Sequence, residues 1–426
     1  GLKLPVIFHL ESFGSTLMTS MDSPQQGAFG IRADSTSLEE DRLEIKFTRI
    51  GVVYKGQYDP SNEVITGTFS QGGMNIPLDL TREKTEQEVQ ELISRPQEPK
   101  EPFTYRSEDI SCHNEKDDVR LAGNLTPPQG TGKIPAVVLI SGSWPQNRDS
   151  EAFGHRPFLV LSDHLSNNGI AVLRFDERGV GQSSGDFSAA TSKDLAIDVA
   201  SAVDFLATQA QIDTDRIGLI GHSEGGIVAP MVASGSEEVD YMILLAGPVL
   251  PGDQNLLLQK KRIEEKMGVD PQTIRRGQQI FKEAYDLVKH PDTSGLHQRL
   301  MTHFQEAFST GLTTEQVEAL TNQLTAPWMI FYLNHDPLKT LRITTIPVLA
   351  LFAENDLQVP AQENAEILLT EDLDNHWTIE VMDNLNHLFQ ESSTGLPQEY
   401  SQIDQTISPV VLETITTWIH QQAGPH

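Results

Sequence analysis

The segment Arg216-Ile217-Gly218-Leu219-Ile220-Gly221-His222-Ser223-Glu224-Gly225-Gly226 carries the strongest structural signal in the chain. An apolar run of strand character passes through Gly221-His222-Ser223-Glu224-Gly225, the G-x-S-x-G pattern, into a helix-like stretch from Gly226. A serine on so sharp a turn is forced toward positive φ, and the positions two residues to either side must be almost free of side chain for strand and helix to approach. Gly221 and Gly225 meet that need. The N–H groups that open the helix then face the space in front of Ser223, where a developing oxyanion would be stabilised. The pattern predicts a hydrolase with Ser223 as nucleophile.

Working outward, short apolar runs alternate with longer amphipathic segments. Ala136-Val-Val-Leu-Ile-Ser141, Ile170-Ala-Val-Leu-Arg-Phe-Asp176, Tyr241-Met-Ile-Leu-Leu-Ala-Gly247 and Ile346-Pro-Val-Leu-Ala-Leu-Phe-Ala-Glu354 read as strands of a mostly parallel sheet flanked by helices. Leu195, Val199, Ala202, Val203 and Leu206 line one face of a crossover helix that follows Thr191. Phe103 to Thr126 is expected to add one or two leading strands, antiparallel to the rest. The strands stop between Pro251 and Arg342, where Asp270-Pro271 and the Thr313/Gln316 pair announce helix starts. A helical cap over residues 251–342 is expected, inserted into an α/β domain of residues 103–250 and 343–426. Before it, residues 1–82 show period-two patterning, with Leu43, Ile45 and Phe47 alternating, Ile76, Leu78 and Leu80 alternating, and turns at Asp59-Pro60-Ser61-Asn62 and Gly72-Gly73. They predict a small antiparallel β barrel or sandwich of about six strands, joined through a partly helical, Pro-rich linker at 83–102.

Serine is a weak nucleophile until an imidazole takes its proton and a carboxylate fixes the imidazole tautomer. In such a domain the order along the chain is serine, acid, histidine. Asp356 follows the strand that begins at Ile346, and His387 follows the strand at Trp377; the intervals of 133 and 31 residues leave room for the cap in the first and for a helix and a strand in the second. Glu354 and Asp383 compete with Asp356 for the orienting role, and His222 and His376 are expected to be polar or packing residues. A second oxyanion donor besides the Glu224 amide is expected from the loop Ser141-Gly142-Ser143-Trp144-Pro145-Gln146, with Ser143 chosen and Trp144 as the alternative. The Glu224 carboxylate is expected to face solvent or the helix N-terminus. Asp176-Glu177-Arg178-Gly179-Val180-Gly181 lacks a Walker lysine and reads as a structural turn with an internal Asp–Arg pair.

Composition narrows the partners. Sixty acidic residues against 31 basic ones give a net charge of −29, which repels nucleic acid and anionic surfaces. Cys112 alone can form neither an internal disulfide nor a multi-cysteine metal site, the histidines show no H-E-x-x-H spacing, and no apolar run reaches membrane-spanning length. No cofactor, metal, nucleic acid or integral membrane segment is expected. The start at Gly1-Leu2-Lys3 fits a mature exported form or a cytoplasmic protein equally.

Four stretches together resemble the α/β-hydrolase esterases related to the dienelactone hydrolase and acyl-peptidase branches, especially bacterial serine esterases of the EstD type. They are Ser141–Asp149, Arg174–Gly181, Gly221–Gly226 and Asn386-His387-Leu388-Phe389-Gln390, and the likeness extends over roughly residues 100–425. Ser70-Gln71-Gly72-Gly73 with Ile76-Pro77-Leu78 also looks like the β-rich N-terminal domain of some of these enzymes. The resemblance implies an α/β-hydrolase fold and cofactor-free carboxylesterase activity on simple, often short-acyl esters through Ser223, Asp356 and His387. It also points to an envelope or extracellular location. The family tends to carry glycine where this chain has Trp144, which leaves acyl preference open. A thioesterase or an acylaminoacyl-type peptidase could use the same residues, and a catalytically silent binding protein of the same fold is the non-enzymatic alternative.

Overall fold

The computed structural model describes residues 6–13, 16–23, 28–47, 51–71, 74–81, 95–130, 132–309, 311–371 and 376–422. The chain divides into two units, one of residues 1–95 with 152–155 and one of residues 96–151 with 156–426. Much of the expected linker, and the Gly72-Gly73 turn, lie outside the described residues.

The first unit is antiparallel. Strands β1 (Ile7–Phe13), β2 (Thr16–Ser23) and β3 (Ala28–Arg32) form one sheet. A second contains β4 (Ser35–Glu39), β5 (Arg42–Phe47), β6 (Val52–Asp59), β7 (Val64–Gln71) and β8 (Met74–Pro77) in that order, with β9 (Leu80–Thr81) also paired to β7. Nine described strands thus replace the six or so expected, because several pieces are too short to leave a periodic signature. Leu43, Ile45 and Phe47 point into a core with Met21, Val52 and Tyr54, as their alternation requires. Ile76 is exposed instead, since β8 ends the sheet. The Asp59 turn forms as read, with Asp59 Oδ1 accepting from the Ser61 amide at 2.9 Å.

The second unit has the α/β-hydrolase fold. Its described strands are β10 (Glu108–Asn114), β11 (Val119–Thr126), β12 (Ile134–Ile140), β13 (Ala171–Phe175), β14 (Ile212–His222), β15 (Tyr241–Leu245), β16 (Val348–Ala353) and β17 (Trp377–Met382). They lie in the order β10-β11-β13-β12-β14-β15-β16-β17, parallel from β13 onward. Of the two leading strands only β11 runs against the rest; β10 is antiparallel to β11 and so regains the common direction, which corrects the expectation for this segment. Successive side chains serve opposite faces. Val138, Leu173, Leu219 and Met242 pack beneath α2 (Ser192–Ala207) and α3 (Gly225–Ala233), whereas Val137, Val172, Ile220 and Ile243 pack beneath α1 (Pro157–Asn167) and the last helix.

Between β15 and β16 the described chain is helical: α4 (Gly252–Lys266), α5 (Pro271–Lys289), α6 (Leu296–Ala307), α7 (Thr314–Thr325), α8 (Pro327–Asn334) and α9 (Pro337–Leu341). Asp270 Oδ1 caps α5 by accepting from the amides of Gln272 and Thr273, and Thr313 with Gln316 closes a reciprocal capping box on α7. These helices share an apolar core that includes Ala284, Leu300, Phe304 and Leu333. The chain then adds α10 (Ala361–Thr370), α11 (Pro397–Tyr400) and α12 (Pro409–Gln422).

Candidate active site

Ser223, Asp356 and His387 each stand just past a strand's C-terminal end, after β14, β16 and β17, the edge where open α/β sheets bind ligands. Ser223 sits at φ 53°, the left-handed conformation its turn demands, a strain of about 1–3 kcal/mol for a non-glycine residue. The turn closes only because its neighbours lack side chains. A Cβ on Gly221 would lie 2.1 Å from the Gly225 carbonyl oxygen, and one on Gly225 would lie 2.3 Å from that of Ile140. Both contacts are with backbone, which has no room to yield.

The acid and the imidazole meet. His387 Nδ1 donates to Asp356 Oδ2 at 2.7 Å, and both residues are buried. Asp356 Oδ1 accepts from the amides of Gln358 at 2.7 Å and Val359 at 2.9 Å, so the carboxylate cannot rotate without losing three donors. The competitors are engaged elsewhere: Glu354 accepts from the Asn384 amide, Asp383 is exposed, and His376 bonds to the Thr344 carbonyl. Asn386, fully buried, shapes the histidine turn by accepting from the amides of Leu388 and Gln390.

His222 joins the serine turn to the histidine turn. Its Nε2 donates to the His387 carbonyl at 2.8 Å, and the two rings lie 4.8 Å apart. Burial and the neighbouring imidazole push its pKa down to about 3, so it stays neutral with its proton on Nε2. The sequence offered only its nearness to Ser223; the link to His387 spans 165 residues and leaves no local trace. Ser223 Oγ makes no hydrogen bond among the described residues, which leaves the hydroxyl to whatever enters the site.

Gly142 brings the loop after β12 against the serine, since a Cβ there would lie 3.1 Å from Ser223 Cβ. The amides of Ser143, Trp144 and Glu224 find no acceptor among the described residues. All three amides are therefore without an acceptor there, and neither Ser143 nor Trp144 is singled out as the second donor. Trp144 adopts φ 76°, which an L-residue of this bulk rarely holds.

Glu177, a residue that sequence reasoning passed over, holds this loop. Its Oε1 accepts from Ser141 Oγ at 2.6 Å and its Oε2 from the Gln146 amide at 2.8 Å, so one carboxyl bridges both ends of the turn. The expected Asp–Arg pair within this segment is absent among the described residues. Asp176 instead binds Arg148 through three bonds, two from the guanidinium and one from the amide, and Arg178 reaches Asp198 and Asp117, because the two side chains leave the turn in different directions. Burial pushes the Glu177 pKa from 4.5 up to about 8, against the lowering pull of Ser141 and Gln146. The folded protein thus holds a proton that the unfolded chain releases above about pH 4.5, so stability should fall as pH rises from 4.5 to 8, by about 5 kcal/mol at most. Glu177→Gln should flatten that slope, with its advantage over the parent growing from pH 5 to pH 9 in urea unfolding. Parallel curves would refute the assignment.

Glu224 departs from expectation. Its carboxyl is buried, not solvated: Oε1 accepts from Ser192 Oγ at 2.6 Å and from Trp328 Nε1 at 2.7 Å. The carboxyl is drawn down there because α8 delivers an indole N–H, a partner 104 residues away in the chain. Desolvation raises its pKa. No cluster of three or more histidine, cysteine or acidic side chains suited to a metal occurs among the described residues, and no described helix is long and apolar enough to cross a membrane.

Residues 117–263 match the family model described as X-Pro dipeptidyl-peptidase (S15 family). Esterase EstD of Thermotoga maritima is 26% identical over 386 residues, covering 86% of this chain and 81% of EstD. The putative hydrolase YtaP of Bacillus subtilis is 26% identical over 156 residues, covering 33% of this chain and 51% of YtaP. Among solved structures, the Pyrococcus furiosus esterase PF2001 aligns with 75% of this chain and 92% of its own, at 17% identity and a TM-score of 0.46.

Proposed function

We propose that this α/β-hydrolase is a serine carboxylesterase that cleaves simple carboxylic esters through an acyl-enzyme. The observation that carries the reading is a serine at left-handed φ on a strand-to-helix turn, tied through His222 to a histidine that is itself bonded to a buried aspartate. His387 takes the proton as Ser223 Oγ attacks the ester carbonyl, and Asp356 stabilises the imidazolium. The Glu224 amide, with that of Ser143 or else Trp144, holds the oxyanion. Collapse of the tetrahedral adduct breaks the bond to the alcohol oxygen, which leaves with the proton from His387. A water deprotonated by His387 then attacks the acyl-serine, and the acid departs as Ser223 recovers its proton. The helices between Gly252 and Leu341 act as a cap, a role supported by the Trp328 bond to the residue after the nucleophile. Likeness to EstD along most of both chains supports the choice of ester over other acyl substrates.

The peptidase reading is favoured by one finding, the S15 match across residues 117–263, which include the serine turn. Labelling with a fluorophosphonate, followed by peptide mapping, tests the nucleophile: the adduct is expected on Ser223, and an adduct elsewhere or none at all would refute it. Parallel rates on p-nitrophenyl acetate, an acyl thioester and a blocked dipeptide amide then separate the substrate classes, with the ester expected to be fastest.

A further inference from the structure

The structure points to an aromatic recognition surface beside the nucleophile: we propose that Trp144 and Trp328 together receive a planar aromatic ring of the substrate. This inference rests on the esterase reading and narrows its substrate class to esters that carry such a ring.

Two indoles that are far apart in the chain converge here, with centroids 6.1 Å apart and planes tilted by 34°. They are held differently. Trp328 is half-buried, its Nε1 is fixed on Glu224 Oε1 at 2.7 Å, and its ring stacks on Tyr332 at 5.2 Å. Tyr332 is anchored in turn, its hydroxyl lying 3.3 Å from Asn255 Nδ2. Trp144 is 63% exposed on a loop whose Gly142 abuts Ser223, and its backbone is left-handed. A large apolar ring held in water on a strained turn is maintained only where the surroundings over-determine it, and Glu177 does so by bracing Ser141 and Gln146.

Two residues whose amides find no acceptor among the described residues thus also build an aromatic wall, Trp144 directly and Glu224 through its hold on Trp328. A flat ring gains offset or edge contacts with two indoles in addition to the area it buries, whereas an alkyl group of equal size gains the area alone. Discrimination between aromatic and saturated rings is the expected signature.

The test compares kcat/KM in two matched series: methyl benzoate against methyl cyclohexanecarboxylate, which places the ring on the acyl side, and phenyl acetate against cyclohexyl acetate, which places it on the alcohol side. The intrinsic ratio is set by alkaline hydrolysis of each pair. The wild-type protein is expected to favour the aromatic member of one series at least tenfold beyond that ratio. Trp144→Leu, which keeps apolar bulk without a π face, should cut this preference about tenfold, and Trp144→Phe should restore most of it. As a check that needs no variant, benzoate or phenol should inhibit wild type at least fivefold more strongly than its saturated counterpart. Hydrolysis with no aromatic preference in either series, or a preference unchanged in the Leu variant, overturns the inference while leaving the esterase reading intact. Failure to hydrolyse any ester, p-nitrophenyl acetate included, overturns both.

Discussion

Ser223→Ala is expected to lower kcat/KM for esters by about a million-fold while leaving about 10³-fold acceleration over water, because the proposed oxyanion donors survive when the nucleophile does not. The same change should leave the fold alone. Ser223 Oγ has no hydrogen-bond partner among the described residues, so its removal orphans nothing, and the turn's constraint comes from Gly221 and Gly225. Stability within about 0.5 kcal/mol of the parent is therefore expected for the variant. The burst of alcohol release that marks acyl-enzyme formation should vanish in pre-steady-state kinetics, together with fluorophosphonate labelling. A variant that still shows a stoichiometric burst would place the nucleophile elsewhere.

Asp356→Asn should lower kcat by about 10⁴ at neutral pH with a much smaller change in KM, through the imidazole tautomer. The Gln358 and Val359 amides both donate to Oδ1, so they will select the carbonyl oxygen of the new side chain. Its NH₂ is then left facing His387 Nδ1 in place of the acceptor now 2.7 Å away. Nδ1 must lose its proton to accept from that NH₂, which leaves the proton on Nε2, where no base remains for the serine. Asp383→Asn, at an exposed site, is the control and should stay within about threefold of the parent. Equal losses in both variants would count against Asp356 as the orienting acid.

The features legible in the sequence were those written locally. Strand runs such as Ala136–Ile140 and Val348–Ala353, the glycine spacing around Ser223 and the caps at Asp270 and Thr313 each depend on residues a few positions apart, and all take the form their pattern requires. The pairing of Asp356 with His387 was accessible for a different reason, since chain order in a doubly wound sheet limits which loops can meet. Side-chain destinations across the fold were not legible. The sequence places a carboxylate after the nucleophile, but that it turns inward depends on an indole supplied from α8. Glu177 looked like part of a glycine-rich turn, yet its role comes from two partners 36 and 31 residues upstream, on a neighbouring strand's loop. Arg178 likewise takes carboxylates from α2 and from the β10–β11 turn rather than its neighbour Asp176.

Glu224 serves two masters, and this has a bearing on how the lineage can diversify. Its main chain borders the nucleophile, while its carboxyl grips Trp328. A change of side chain at position 224 would therefore release Trp328 directly beside the nucleophile. The Trp144 indole makes no hydrogen bond among the described residues, so its side chain can change without leaving a buried polar partner unpaired. New preferences should accumulate there first, with the residue after the serine held back until the helix above it has changed as well.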